Sequence, residues 1–289
     1  MLTKPARRRG FTLIEILVVI SLIAVLAALS VGALFRVRAA QQTSNTEGTL
    51  GKLDTLMMAR WSAILVTAKT PPDSVIAFCD GDKDRAVSLW TYAMLKNEFP
   101  QNYAEVADIT VGGATLRKRA VFNKVTMTAT TDVNEQSAGL FYAAIMETGN
   151  RGTANSLEGL QQQVATSDKG LSVFNDNWGV PIAFIRNATN AEIQAAPHSK
   201  PSTVSSNPLD PRGLLIVRAG NNWTAANRTA AITALGLANP PGFMNANFIP
   251  TLVSAGPDKD FGTYLGGAAG DAGNDNLLSY RRREGTRRD

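Results

Sequence analysis

Cysteine and histidine are almost missing from this chain: Cys79 and His198 are single copies among 289 residues. One cysteine excludes an intrachain disulfide, so any long loop of an exported domain has to be held by packing or by a metal. One cysteine and one histidine together also exclude the Cys/His clusters that hold zinc. His198 lies in a Pro/Ser/Asn-rich stretch, 191–211, which reads as an exposed loop and gives no reason to expect a Ser-His-Asp triad. No P-loop and no dinucleotide-binding glycine pattern leads into a helix. A basic body is missing too, although the formal net charge is +5. Lys4, Arg7, Arg8 and Arg9 supply four of those charges, and the tail from Arg281, with five arginines against Glu284 and Asp289, supplies a net three. Removing both leaves the body at −2, which argues against nucleic acid as a partner. The arginine tail itself is expected to be a solvated, mobile end.

What the sequence does have is an apolar run. Residues 11–35 are almost all Leu, Ile, Val and Ala, with Glu15 as the one charge. At ~1.5 Å per residue such a run crosses a hydrocarbon core of about 30 Å as a single helix. The basic residues before it hold the N-terminus in the cytoplasm and send the remainder outward. A cleaved secretory signal is the plain alternative. Against it stand the length of the run, the carboxylate inside it and the amphipathic pattern that continues beyond it. Glu15 among lipid tails costs a few kcal/mol, so it calls for a partner or a function. It lies four residues after Phe11, on the same side of a helix. A cut between Gly10 and Phe11 would create an α-amino group able to pair with Glu15 of the same chain or a neighbour. Snorkelling to the headgroups is the bland reading.

Beyond the run, Val37, Leu50, Leu53, Leu56, Met57, Trp61, Ile64 and Leu65 recur at helical spacings. Thr70-Pro71-Pro72 ends the pattern. One helix over 11–69 is expected, with residues 11–35 in the membrane and Gly32, Gly48 and Gly51 as weak points costing about 1 kcal/mol each relative to alanine. Asp80-Gly81-Asp82-Lys83-Asp84 lacks the downstream glutamate of an EF-hand loop. It reads as a solvated loop with Asp84 capping the helix over 86–99. The middle region, 101–169, suggests a strand at 121–128 and helices around 138–147 and 157–164. From Asn175 the texture becomes β, with short strands expected at 181–186, 213–218, 251–254 and 277–281, and a helix within 221–242. Trp90, Trp178 and Trp223 read as core.

Gly10-Phe11-Thr12-Leu13-Ile14-Glu15 resembles the processing and methylation motif of type IV pilins and type II secretion pseudopilins. The resemblance implies cleavage after Gly10 by a prepilin peptidase, methylation of Phe11 and a role for Glu15 in setting subunit register. It covers about the first tenth of the chain. A second resemblance lies in Asn175-Asp176-Asn177-Trp178-Gly179-Val180-Pro181, which looks like the Asp-x-Trp-Gly-x-Pro entry to the sheet of major pseudopilins, with Trp178 as anchor and Gly179 and Pro181 shaping the turn. Residues 254–263 and 271–276 resemble the acidic C-terminal loop that binds calcium in that family. Carried over, the ligands are Asp258, Asp260, Asp271 and Asp275, with Leu252 and Ser254 as carbonyl donors. Clustered carboxylates suit a hard cation with six to eight oxygen ligands. The longer spacer, 264–270, departs from the family, and a plain acidic turn is the alternative.

The resemblance implies an α+β, pilin-like fold: a long, partly transmembrane N-terminal helix on a small antiparallel sheet. Residues 1–10 are then a leader, 11–69 the helix, and 70–289 a periplasmic head with 101–169 inserted. The function implied is that of a structural, non-enzymatic subunit of a type II secretion pseudopilus. Its partners would be prepilin peptidase, other pseudopilin subunits (copies of itself and minor ones) and the inner-membrane assembly platform. It would reside in the bacterial inner membrane, single-pass, before assembly and in a periplasmic filament afterwards. Many adhesive type IV pilins resemble one another in a disulfide-bounded loop, and this chain departs from that. A type IV pilin for adhesion, motility or DNA uptake is the runner-up. A tip-capping pseudopilin, and a membrane-anchored exported enzyme or binding domain, are the further alternatives.

Overall fold

A run of mostly Leu, Ile, Val and Ala, with no proline and only Gly32 to weaken it, favours helix, and α1 extends from Leu13 to Thr67. The computed structural model describes residues 12–125, 132–149, 159–167, 170–189, 191–194, 205–216, 222–237, 245–262 and 275–283. The chain divides into two compact units, Met1–Asn45 and Thr46–Asp289. In the first unit every described residue through Gln41 is exposed, and the helix is long and apolar enough to cross a membrane. From Thr46 the pattern changes: Leu50, Leu53, Met57, Trp61 and Ile64 are buried at spacings of three and four, the stripe of an amphipathic helix.

The second unit continues with α2 (Asp73–Phe78) and α3 (Lys83–Glu98). Asp82, not Asp84, caps α3. Its carboxylate accepts the Arg85 amide at 3.0 Å because the helix begins one residue before Asp84, which pairs instead with Arg212. A hairpin of β1 (Ile109–Val111) and β2 (Ala114–Leu116) follows. Where a strand was expected over 121–128, its described part is a 3-10 turn, Ala120–Lys124. That turn carries Phe122 into the core while Arg119 pairs with Glu98 at 2.8 Å. After α4 (Val133–Gly149), the expected helix at 157–164 is, where described, a 3-10 turn running into β3 (Val164–Thr166). Val164 is taken by Phe174 of β4 (Ser172–Phe174), so pairing across the hairpin overrides local preference.

The remaining elements are β5 (Ala183–Ala188), α5 (Ala191–Gln194), α6 (Ala225–Ala234), β6 (Ile249–Ser254), β7 (Leu277–Leu278) and α7 (Tyr280–Arg283). The described residues of the expected strand 213–218 form none. The Asp210 carboxylate accepts the Leu214 and Leu215 amides, each at 2.8 Å, and so withdraws the donors a ladder would need. Nor is 191–211 simply an exposed loop: Ser205, Asn207 and Asp210 are buried, and Asn207 donates to the Tyr92 hydroxyl at 2.6 Å. The strand expected at 277–281 stops at Leu278, because Ser279 turns the chain into α7.

Strands β5, β6 and β7 make one antiparallel sheet in that order, with Phe184 opposite Leu252 and Val253 opposite Leu278. The core lies where this sheet, α1, α3 and α4 bring their aromatics together. Phe99 stacks on Trp61 at 6.1 Å, and Phe184 meets Phe99 at 5.5 Å and Phe141 at 5.3 Å. Trp90 and Trp223 are buried and Trp178 packs against the same cluster. The result is an α+β fold, a long apolar N-terminal helix with small antiparallel sheets. A buried ion pair crosses it. Arg186 of β5 grips both oxygens of Glu105 at 2.8 and 3.0 Å and donates to the Phe99 carbonyl. Burial alone would raise the Glu105 carboxyl, but the Arg186 charge and hydrogen bonds hold it below its ordinary range.

Candidate functional site

Three places carry the residues singled out by the sequence. At the head of α1, the Thr12 amide donates to Glu15 Oε2 at 2.8 Å and the Thr12 hydroxyl to the same oxygen at 3.0 Å. The Glu15 amide returns a bond to Thr12 Oγ1 at 3.3 Å. This is a reciprocal capping box, in which a carboxylate satisfies the amides that a helix start leaves open. Thr12 is the residue the sequence reading passed over, although Thr-x-x-Glu before an apolar run is the signal for it. Two bonds on one oxygen leave Glu15 Oε1 without a partner among the described residues. Gly10 and Phe11, the expected cleavage and methylation residues, lie outside the described residues.

The second place is the turn that enters the sheet. Asp176 is 4% exposed, and its Oδ1 accepts the amides of Trp178 at 3.0 Å and Val180 at 2.9 Å. Its Oδ2 takes the Ser254 hydroxyl at 2.7 Å. The Gly179 amide closes the turn on the Asp176 carbonyl at 3.2 Å, and its φ of +85° is one that a side chain would strain. The Asn177 amide donates to Thr46 Oγ1 on α1 at 3.1 Å. Trp178 and Gly179 thus sit where the sequence put them, but Asp176 organises the turn. Burial pushes its carboxyl above the usual value, against the pull of the Ser254 hydroxyl and the Val180 and Trp178 amides.

The third place is the acidic loop. Asp258 and Asp260 are exposed, each accepting the amide two residues on: Asp260 onto Asp258 Oδ1 and Gly262 onto Asp260 Oδ1, both at 2.9 Å. Asp275 is drawn against the same turn, its Oδ2 accepting the Asp258 amide at 3.3 Å. Gly256 permits this approach, since a Cβ there would stand 2.7 Å from the Asp275 carbonyl. Leu252, expected as a carbonyl donor, has that carbonyl bonded to the Ser279 amide at 3.0 Å, and the Ser254 side chain is engaged by Asp176. Asp271 and His198 lie outside the described residues. Among the described residues no three His, Cys, Asp or Glu side chains gather as a metal centre.

Among the described residues, three buried oxygens of this loop and the neighbouring turn have no hydrogen-bond partner: Asp275 Oδ1, Asn276 Oδ1 and Asn175 Oδ1. The amide nitrogens of Asn276 and Asn175 already donate, to the Phe261 and Gly179 carbonyls. Turning either amide over would therefore break a bond to make one. An unpaired buried acceptor costs about 1–3 kcal/mol. Oxygen-only donors of this kind fit a hard cation and not zinc. A groove of about 520 Å³ opens beside them, with Asn175, Asp260 and Phe261 in its lining together with Asp132 and Glu135.

The described tail departs from a solvated end. Arg281 pairs with Glu192 at 2.7 Å, Arg282 with Glu47 at 3.0 Å and Arg283 with Asp54 at 2.5 Å. Carboxylates on α1 and α5 lie within reach once the sheet has formed, and they hold the arginines down.

The prokaryotic N-terminal methylation motif matches residues 5–31, which include Gly10, Phe11 and Glu15. No curated protein and no solved structure matches the chain. The motif is that of a pilin-like prepilin signal, and it implies processing by a prepilin peptidase and assembly into pilus-like polymers. The apolar helix behind it fits membrane anchoring of a pilin-like protein.

Proposed function

We propose that this chain is a structural subunit of a type II secretion pseudopilus, built like a major pseudopilin with an enlarged head. The observation that carries the reading is Glu15, a lone carboxylate in the first turn of a helix whose apolar first half is exposed through Gln41, inside a matched methylation motif. Cleavage after Gly10 gives Phe11 a cationic amine. Its N-methylation keeps that charge. Glu15 Oε2 is occupied by Thr12, and Oε1 faces a neighbour's amine when helices exchange lipid for one another. An unpaired charge in that setting is expensive, so wrong registers are penalised. The work is polymerisation and uses no catalytic residue of this chain. The secretion system is favoured over a surface pilus by the single, buried Cys79, which leaves no disulfide-bounded loop, and by the Asp176–Pro181 turn.

Calcium belongs to this reading. The residues to hold it are Asp258, Asp260, Asp271 and Asp275, with Asn276 Oδ1 added by its burial without a partner among the described residues and Ser254 as a carbonyl donor; the Leu252 carbonyl is taken by the Ser279 amide. Bound there, the ion cross-links a glycine-rich loop that has no disulfide to close it.

Mass spectrometry of the mature protein from its host tests the reading. The expected species begins at N-methyl-Phe11, and Glu15→Ala abolishes filament growth and export of the secreted proteins. An intact Met1, a cut downstream of Ala28, or unchanged filaments in Glu15→Ala would overturn it. Lost surface fibres with normal export would move the chain to the type IV pilins.

A further inference from the structure

Two features lie outside that function: the arginines of α7 and a glycine in the buried half of α1. Arg283 grips Asp54 with Nε at 2.7 Å and Nη2 at 2.5 Å, and Nη2 also donates to the Pro250 carbonyl at 2.7 Å. Asp54 is 7% exposed, and Arg283 is the cation that pairs it among the described residues. Arg281 holds both oxygens of Glu192, and the Tyr280 hydroxyl adds a bond at 2.7 Å. Arg282 lies along Gly51, where a Cβ would stand 3.4 Å from its Nε, and reaches Glu47. A longer side chain at position 51 would compete with that guanidinium for the same space.

The position of α7 is fixed from the acidic loop. Asp275 and Asn276 lead directly into β7, and β7 holds only two residues, Leu277 and Leu278, before Ser279. Ser279 clamps the end of β6 twice, its amide on the Leu252 carbonyl and its hydroxyl accepting the Leu252 amide, each at 3.0 Å. The register that seats α7 therefore also buries Asp275 Oδ1 and Asn276 Oδ1 without a partner among the described residues. That seat is costly until something satisfies those oxygens.

We propose that α7 is a C-terminal strap that closes on α1 through Arg282 and Arg283, and that cation occupancy of the acidic loop sets how firmly it closes. The coupling rests on the calcium reading above; the strap itself does not. One bidentate pair onto a nearly buried carboxylate, Arg283–Asp54, and one single-bonded pair, Arg282–Glu47, tie the end of the head to its first helix. The tie is electrostatic and reversible, and it loosens with salt at the exposed Arg282–Glu47 pair first.

Amide hydrogen exchange of the full-length chain in detergent, with calcium chloride or a chelator, tests both parts. In the unaltered chain calcium slows exchange over residues 46–57 about tenfold or more. In Arg282→Gln/Arg283→Gln exchange there is fast with or without calcium, while calcium binding measured by titration calorimetry is kept. Gly51→Gln, which favours helix but displaces Arg282, shifts exchange in the same direction. Calcium that binds yet leaves 46–57 unchanged overturns the coupling. Absence of calcium binding overturns the coupling together with the reading beneath it. The strap is then judged in chelator alone, where equal exchange in the double variant and the unaltered chain overturns it.

Discussion

Replacing Asp176 by alanine removes the acceptor that three donors share. The side chain is 4% exposed and binds the Trp178 and Val180 amides and the Ser254 hydroxyl at 3.0, 2.9 and 2.7 Å. Bonds to an ionised group are worth about 1.5–3 kcal/mol each, and a donor left unsatisfied costs about 1–3 kcal/mol. Trp178 and Val180 are only partly enclosed, so water recovers some of their loss, whereas Ser254 is fully buried. The expected destabilisation is about 3 kcal/mol, or about 6–12 °C in Tm for a unit of this size. Asp176→Asn keeps an oxygen for the two amides and gives Ser254 Oγ a donor, so about 1 kcal/mol is lost. The pH dependence is specific. Burial lifts the Asp176 carboxyl above its ordinary 3.8, so its native value exceeds the unfolded one. Its contribution is full below the ordinary value and is lost as pH rises through the raised one. The asparagine variant lacks that contribution, so its deficit is largest in acid and shrinks toward neutrality. Thermal melts of the full-length chain in detergent across about pH 3–7, where carboxylates ordinarily titrate, measure all three. Asp176→Ala within about 0.5 kcal/mol of the unaltered chain, or Asp176→Asn as damaging as alanine, would refute the reasoning.

Glu105→Gln probes the opposite sign. Arg186 holds the Glu105 carboxyl below its ordinary 4.5, so its stabilisation is present above that value and lost as pH falls through the lowered one. The variant is expected to lose about 2–4 kcal/mol near neutrality, because Arg186 stays buried without its charge partner, and little at acid pH; parallel melts read the convergence. Chelation of calcium is expected to lower the Tm of the head transition, since a ligand at about 100 times its Kd contributes about 2.7 kcal/mol. Asp275→Ala should abolish that response while leaving the far-ultraviolet circular dichroism of the helices intact. A chelator-insensitive melt would remove calcium from the account.

The long helix, its apolar first half and its buried second half were legible in the sequence, because they depend on local composition and on a spacing of three and four that any helix converts into a face. So were the places of Trp178 and Gly179 in the turn that enters the sheet, because that motif is contiguous. The capping partner Thr12 was equally legible in Thr-x-x-Glu. Local reasoning failed where a distant group claimed a backbone amide or a strand partner. Asp210 took the amides of the expected strand at Leu214 and Leu215. Phe174 took Val164 from an expected helix, and Asp82, two residues earlier, took the cap from Asp84. The tail failed furthest. Arg283 and Asp54 are 229 residues apart in the chain, so nothing in the spacing of either could announce the pair. A periodicity fixes which side of an element is apolar, since that follows from the geometry of the element itself. Which charges meet across the molecule is decided only when the sheet has brought the two ends together, and that depends on contacts with no local signature.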